Sequence, residues 1–370
     1  MTSKFSENGY LMQDHFSRRS LLKAGAATAM SGIGWAHAQQ APTLEVLLAN
    51  ALVGGPLKGI LENEAKIKIN DNPFQSSTDV VARLVAPGGT SRYNLMMSHS
   101  IFSRGPVLGA AAGQEKCAPL DLKLIPNFSQ VSATFKEDIL QRDGKIYGIP
   151  IMWGYDTVIY NTSVVPAAEA TSWGLLFEDK YAGRIAWFDT AHQMIMAAAL
   201  YLGKAKPESM STAELNEVGR FLISKKKNVR TFWSSFAQGA NLVASGEVAI
   251  TFGTIPMRTG LVKQGVPVAT CWCKEGVLSF VQPAYIPKDS QNQQAAHAMI
   301  NAMLGQAYSS QLTGVSGYLS ASKLAATSLS AQERASLGYG VLDGTTKNYP
   351  LVMPPNLQQW IEVWARVKSA

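Results

Sequence analysis

Short β-type runs alternate with amphipathic helical patterns along most of the chain, and this order is typical of an α/β fold. Runs rich in β-branched and aromatic residues predict strands at 43–48, 93–97, 184–188 and 247–252. Apolar residues that recur three and four positions apart predict one helix that starts near Leu57 and others at 191–202, 212–224, 236–244, 294–304 and 357–367. The last helix places Trp360 and Trp364 on one face, where we expect them to contact the core.

Two further β-type runs are interrupted by residues that disturb a sheet. Residues 145–160 contain Pro150 and Gly154, and residues 278–286 end at Pro287. Proline cannot donate a ladder hydrogen bond, and glycine weakens a strand. A strand interrupted in this way can leave one sheet and enter another, so these two runs are candidates for connections between two parts of the fold.

The N-terminal segment resembles an export signal. Residues 17–25 read SRRSLLKAG, and the pair Arg18 and Arg19 is typical of twin-arginine signals. A mild Ala- and Gly-rich stretch follows and ends in an A-x-A site at 36–38, which predicts cleavage before Gln39. The apolar stretch is too short to span a bilayer. We expect residues 1–38 to lie outside the fold and the protein to work in the periplasm. The alternative is a disordered tail with a chance arginine pair.

The composition is that of a globular protein, with 46% hydrophobic and 16% charged residues. The net charge of +7 is mild, and the dense basic run at 225–227 is better explained as a solvated helix end than as a nucleic-acid contact. Cys271 and Cys273 are too close in sequence for an unstrained disulfide, and Cys117 could pair with either of them. With three cysteines, at least one thiol is expected to be free.

The sequence lacks the motifs of common enzymes. It contains no nucleophile elbow, no zinc-protease helix, no P-loop and no strand-linked dinucleotide motif. Ser98 and His99 are adjacent, and alternation on a strand points neighbours to opposite faces, so they do not form a nucleophile with its base. No spacing of cysteine and histidine indicates a metal site. We therefore assign no catalytic residue, no metal and no cofactor, and we do not expect an enzyme.

Five segments carry a family resemblance. They are KIYGIPIMWGYDTVIYN at 145–161, TSWGLLFEDKYAGRIAWFD at 171–189, SGEVAITF at 245–252, LSFVQPAYIPKD at 278–289 and SGYLSASKL at 316–324. In this order they resemble the type II periplasmic solute-binding proteins of ABC importers, in the spermidine/putrescine-binding branch. The likeness extends over most of residues 43–370 and is clearest between 145 and 324.

The resemblance implies two α/β lobes joined by crossover strands, with a ligand cleft between them. The implied limits are 42–152 with 278–322 for lobe 1, and 153–277 with 323–370 for lobe 2. It also implies a monomer that binds a small-molecule solute, delivers it to an ABC permease in the inner membrane and does not contact nucleic acid. Two alternatives stay open: a sensor subunit that presents its ligand to a membrane receptor, and a periplasmic enzyme on the same fold.

The ligand-contacting positions of the polyamine binders can be transferred only in part. Their aromatic residue on the second crossover falls on Phe280, but the carboxylate that follows it falls on Gln282. Their acidic pair in the second lobe falls on Thr190 and Gln193, and a tryptophan falls near Thr254. A dication would lose most of its charge-assisted hydrogen bonds here, so we expect a neutral, zwitterionic or monocationic solute and not a polyamine.

The first crossover adds three further candidates. Alternation points Trp153 and Tyr155 to one face and Asp156 to the other, unless Gly154 disturbs the pleat. We favour ligand contact for Trp153 over a core position. Asp189 could hold an ammonium group or cap a helix, and capping is favoured. The full predicted ligand-binding set is Asn50, Ser98, His99, Trp153, Tyr155, Asp156, Asp189, Thr190, Gln193, Thr254, Phe280 and Gln282, while His192 is a loop histidine expected near the cleft mouth.

Overall fold

A computed structural model of the protein describes residues 40–74 and 76–370. The predicted export signal, with Arg18, Arg19 and the cleavage site at 36–38, lies outside the described residues. The strands are β1 Thr43–Leu47, β2 Lys68–Asp71, β3 Leu95–Met97, β4 Leu140–Arg142, β5 Lys145–Asn161, β6 Ile185–Phe188, β7 Val229–Trp233, β8 Ile250–Thr254, β9 Val268–Cys271, β10 Val277–Tyr285, β11 Leu319–Ser320 and β12 Asn348–Pro350.

The helices connect these strands in the alternating order that the sequence predicts. They are α1 Asn50–Val53, α2 Pro56–Ala65, α3 Ser77–Val85, α4 Gly89–Arg92, α5 Ser100–Leu108, α6 Ala191–Tyr201, α7 Thr212–Lys225, α8 Phe236–Ala244, α9 Ile255–Lys263, α10 Gln293–Leu304, α11 Gln306–Ser316, α12 Ala331–Leu337, α13 Gly340–Asp343 and α14 Leu357–Ser369. Every predicted strand and helix has a counterpart with slightly shifted ends. Several helices were not predicted, among them α5, which contains Pro106.

The strands form a continuous curled sheet whose main path runs β2-β1-β3-β10-β5-β8-β6-β7. At one end β1 pairs in parallel with β2 and β3, and at the other end β6 pairs in parallel with β7 and β8. Between them, β5 and β10 pair with each other and with their outer neighbours in antiparallel fashion. The two parallel units are therefore joined through one antiparallel pair.

Two hydrophobic cores lie on either side of this antiparallel pair. The first contains Leu44 of β1 and Met299 of α10, and the second contains Trp187 of β6 and Phe252 of β8. Strand β5 contributes Ile149 and other residues to the first core, and Val158 and other residues to the second. Strand β10 likewise contributes residues to both cores. The long strand thus crosses between two lobes, as its sequence predicts. The exact lobe limits stay a prediction.

The expected interruption of the crossover takes the form of a bulge. Strand β5 is continuous over 17 residues, and the register of its partner β10 shifts between Gln282 and Pro283. Pro283 lies opposite Pro150. Because neither proline can donate a ladder hydrogen bond, the regular pairing fails at this point. The bulge lies at the middle of the crossover, between the two lobes.

Other core positions test the remaining expectations. Trp360 and Trp364 are buried in the second core, as their spacing on α14 predicts. All three cysteines are free thiols: Cys117 lies in a cluster of the first lobe, while Cys271 and Cys273 lie in the second core with their sulfur atoms 3.5 Å apart. The disulfides considered for Cys117 are therefore not formed.

No helix in the described part of the chain is long and apolar enough to cross a membrane.

The close packing of β5 against β8 gives a test of this fold. A β-carbon added at Gly253 would overlap the side chain of Ile159, whereas one added at Gly260 of α9 would meet nothing within 4 Å. We expect Gly253→Ala to lower the free energy of unfolding by about 1–3 kcal/mol because the core is overpacked. The control Gly260→Ala should raise it by about 0.5–1 kcal/mol, as for glycine-to-alanine changes within helices. Urea denaturation measures both, and an unchanged Gly253→Ala protein would contradict the packing.

Candidate functional site

A cavity of about 150 Å³ lies where β5 and β10 cross between the lobes. It is enclosed by side chains from both lobes and from both crossover strands. Its lining residues are His99, Asp156, Gln193, Phe236, Thr254, Phe280, Gln282, Tyr318 and Leu351. Six of these belong to the set predicted from the sequence, so the fold brings together residues that are widely separated along the chain.

The pleat of β5 decides which of its side chains reach the cavity. A β-carbon on Gly154 would lie 2.6 Å from the ring of Phe280, so Gly154 and Asp156 occupy the cavity face. Trp153 and Tyr155 occupy the opposite face, where both are buried. The Trp153 indole donates to the Ser320 carbonyl over 3.1 Å, and the Tyr155 hydroxyl to the Leu337 carbonyl over 3.3 Å. The structure therefore places Trp153 in a core position and not at the cavity.

Asp156 is the acidic residue of the cavity. It lies opposite Thr254 of β8 and Leu278 of β10, and it is 3% exposed. Burial raises the pKa of this carboxyl group well above its ordinary value. No lysine or arginine in the described ranges forms an ion pair with it. A buried acid with a raised pKa and no cationic partner, lining a cleft, is a candidate functional residue.

Two glutamine side chains add acceptor atoms that have no partner. The Oε1 atoms of Gln193 on α6 and of Gln282 on β10, beside the bulge, are buried and form no hydrogen bond with described residues. Thr254, the N-cap of α9, accepts a hydrogen bond from the Met257 backbone over 3.4 Å. Buried acceptors without partners cost free energy, so a ligand that supplies N–H donors would be bound favourably here.

Aromatic rings form another part of the cavity lining. Phe280 packs against His99 with ring centroids 5.4 Å apart, and the Tyr318 ring meets Phe280 edge-on at 6.2 Å. Burial, with a smaller contribution from the Asp156 charge, raises the pKa of Tyr318, so its hydroxyl stays neutral. Rings in this arrangement can enclose a methylene chain or face a cation.

The other predicted residues do not line the cavity. Ser98 is bonded to the Tyr285 hydroxyl at 2.7 Å, and Asn50 begins α1. Thr190 occupies the N-cap position of α6, so the cap expected at Asp189 is not formed there. The Asp189 carboxylate instead accepts from the Trp364 indole over 2.8 Å and pairs with Lys368 at 2.9 Å.

His192 was expected in a loop, but it lies in the first turn of α6 and outside the cavity lining. Its ring packs edge-on against Trp360 at 5.8 Å, and its Nε2 atom is buried without a hydrogen-bond partner among the described residues. Burial lowers its pKa to about 4, so the ring is neutral at physiological pH.

Three lining residues were missed by reasoning from the sequence. Tyr318 lies within the SGYLSASKL segment used for the family resemblance, and this position could have been proposed from it. Phe236 begins α8 directly after its N-cap Ser235. Leu351 follows β12 and is held by a backbone hydrogen bond to Ser279 of β10. No local pattern marks Phe236 or Leu351, because only the chain path brings them to the cleft.

Larger hollows exist elsewhere on the protein. One of about 370 Å³ lies beside Gln291, one of about 400 Å³ is lined by Lys204, Lys274 and other residues of the second lobe, and one of about 440 Å³ adjoins the cleft beyond Leu351. The cleft cavity differs from these because two buried acceptors without partners, the Oε1 atoms of Gln193 and Gln282, line it together with the buried Asp156.

Comparison with known proteins identifies the family. The family model described as bacterial extracellular solute-binding protein matches residues 61–337. The putrescine-binding periplasmic protein PotF of Escherichia coli is 24% identical over 368 residues, which cover 94% of this chain and 96% of that protein. The putrescine-binding periplasmic protein SpuD of Pseudomonas aeruginosa is 26% identical over 269 residues, which cover 68% of this chain and 71% of that protein.

A solved structure agrees with this assignment. The spermidine/putrescine ABC transporter substrate-binding protein PotD from Streptococcus pneumoniae superposes with a TM-score of 0.75 at 18% identity, covering 89% of this chain and 99% of that one. This likeness confirms the predicted fold of two lobes joined by crossover strands. The relatives are named as periplasmic binding proteins, and the solved structure is named as the substrate-binding protein of an ABC transporter. The chain therefore belongs to the bacterial extracellular solute-binding proteins.

Proposed function

We propose that this protein captures a small monocationic amine in the cleft and delivers it to an ABC permease of the inner membrane. The observation that carries the proposal is Asp156, a carboxyl group that is 3% exposed and has no cationic partner in the described structure. An ammonium group of a bound solute would supply the missing charge. Bonds between ionised partners are about twice as strong as neutral ones, so this single contact would contribute much of the specificity.

The neutral groups around Asp156 suit the same ligand. An ammonium group has three N–H donors, and the cavity offers the Asp156 carboxylate with the Oε1 atoms of Gln193 and Gln282 as acceptors. The rings of Phe280 and Phe236 provide apolar surface for the carbon chain. The cavity volume of about 150 Å³ favours a small solute.

A polyamine is disfavoured by the charge of the cavity. Asp156 is the single acid among the described lining residues, so a second ammonium group would be desolvated without a counter-charge. The resemblance to polyamine binders places carboxylates where this chain has Gln193, Gln282 and Thr190. The relatives whose names include putrescine or spermidine therefore share the fold and transport role, while we infer a different ligand.

Export is part of the proposed function. The relatives are named as periplasmic proteins, and the twin-arginine pattern at 17–25 with the A-x-A site at 36–38 supports passage through the twin-arginine pathway. We infer that the mature protein begins at Gln39 and acts as a monomer in the periplasm.

The first prediction concerns Asp156. Asp156→Asn should weaken the best-binding primary monoamine of a thermal-shift panel about ten- to a hundredfold, because a charge-assisted bond worth about 1.5–3 kcal/mol is lost. The ligand-free variant should be more stable than the wild type at neutral pH. Folding raises the pKa of the Asp156 carboxyl group above its ordinary value of 3.8. The wild type therefore loses stability relative to the variant as the pH rises above that ordinary pKa.

Asp189→Asn is the matched control for stability. Burial raises the pKa of Asp189, but hydrogen bonds from Lys368 and Trp364 more than offset this effect, so its pKa is lowered overall. Its ionised form stabilises the fold, and this contribution is lost as the pH falls through the folded-state pKa. Asp189→Asn should therefore lower the melting temperature at neutral pH. A fall in melting temperature for Asp156→Asn, with unchanged amine affinity, would rule out the proposed role of Asp156.

The second prediction concerns polyamines. Spermidine and putrescine should bind the wild type weakly or not at all, because only one acid faces the cavity. Restoring acids with Gln193→Glu and Gln282→Asp should strengthen spermidine binding and weaken binding of the monoamine. Calorimetry with both ligands measures this exchange. A micromolar or tighter dissociation constant of the wild type for spermidine contradicts the proposed specificity and leaves the fold assignment intact.

The third prediction concerns export. Protein recovered from the periplasm should start at or near Gln39, and Arg18→Lys with Arg19→Lys should block export of the folded form. N-terminal sequencing of the periplasmic fraction checks the cleavage site. Intact, uncleaved protein in the cytoplasm of wild-type cells would show that the segment is not an export signal.

A further inference from the structure

The fold determines which ring nitrogen of His99 carries the hydrogen. His99 is the N-cap of α5, and its Nδ1 atom accepts a hydrogen bond from the Ile101 backbone over 3.3 Å. A neutral imidazole carries one hydrogen, and the nitrogen that accepts cannot also hold it. The hydrogen of His99 is therefore on Nε2.

The surroundings keep this ring neutral and oriented. Burial, with a further effect from nearby His192, lowers the pKa of His99 to about 3. The ring is held between Phe280, at 5.4 Å, and Phe102, which it meets edge-on at 5.9 Å. His99 thus presents the same neutral donor over the whole physiological pH range.

The Nε2–H donor has no acceptor within the described structure, although His99 lines the cavity. Asp156 is not its partner, because no hydrogen bond or ion pair joins them. His99 packs against Phe280, which lies opposite Gly154, whereas Asp156 lies two residues further along β5 and opposite Leu278. The carboxyl group of Asp156 therefore lacks a cationic partner, and the Nε2–H group of His99 lacks an acceptor.

We propose that Nε2–H of His99 binds an oxygen acceptor on the solute, and that the substrate class is amines with an oxygen atom at the end opposite the ammonium group. This inference rests on the proposed function, since Asp156 must hold the amine. A hydrocarbon end would bury the donor without a partner, and sites built to form a hydrogen bond discriminate strongly against ligands that lack it. A second ammonium group would place N–H donors against an N–H donor.

Three amines of equal heavy-atom count separate these cases. They are n-pentylamine, which ends in a methyl group, 4-aminobutan-1-ol, which ends in a hydroxyl group, and putrescine, which ends in a second ammonium group. Calorimetry on the wild type should show 4-aminobutan-1-ol binding about three- to tenfold tighter than n-pentylamine, the value of one hydrogen bond. Putrescine should bind least tightly. With 4-aminobutanoate as a fourth ligand, tighter binding than the alcohol would identify a carboxylate as the acceptor and support the role of His99.

Variants at this position test the donor itself. His99→Ser keeps an N-cap acceptor for α5 and removes the Nε2–H donor. The ratio of the affinity for 4-aminobutan-1-ol to the affinity for n-pentylamine should therefore fall to about one. Phe102→Leu alters the packing of the same ring but keeps Nε2–H, and it should preserve the ratio. ¹⁵N spectra of the ligand-free wild type should show His99 with a protonated Nε2 and an unprotonated Nδ1, a readout that does not depend on either variant folding.

The outcomes are distinct. Equal wild-type affinities for n-pentylamine and 4-aminobutan-1-ol, or a hydrogen on Nδ1, would overturn the inference and leave the amine site at Asp156 standing. If none of the amines binds the wild type, both the inference and the proposed function fail.

Discussion

The antiparallel pairing of β5 with β10 is the constraint on which the rest of the structure depends. It joins two parallel units that would otherwise be separate, and each strand contributes side chains to both hydrophobic cores. The same two strands supply Asp156, Phe280 and Gln282 to the cavity. The bulge at Gln282 and Pro283 interrupts the ladder beside the cavity. The connection between the lobes and the binding site are thus built from one set of hydrogen bonds.

The two faces of this strand pair differ in how completely their polar groups are bonded. On the rear face Trp153 and Tyr155 are buried against Tyr339 and Trp272, and both donate to backbone carbonyls. On the cavity face, the carboxyl group and the glutamine oxygens lack partners among the described residues. Native proteins seldom leave buried polar atoms unbonded, so the meeting of two such acceptors with Asp156 in one cavity marks it as a candidate binding site.

Asp156 and Asp189 show how the surroundings of a carboxyl group determine its pKa. Asp189 is bonded to Trp364 and Lys368, and its pKa is lowered although burial opposes this. Asp156 has no such partners, and burial raises its pKa. The residue type is the same, but one carboxylate is bonded within the fold, while the other has no cationic partner in the described structure and is assigned to the amine in the proposed function. His99 follows a related logic, because a helix end fixes its hydrogen while burial keeps it neutral.

Local periodicity and motifs were enough to predict the alternating fold, the two crossover runs, the buried pair Trp360 and Trp364, and the positions of Phe280 and Gln282. Strand alternation also separated Trp153 from Asp156, but it could not say which face would meet the cleft. Tertiary structure decided that, and it brought Phe236 and Leu351 to the cavity. The physical reason is that periodicity fixes how side chains are divided between two faces of an element, whereas the partner of each face depends on contacts between segments that are distant along the chain.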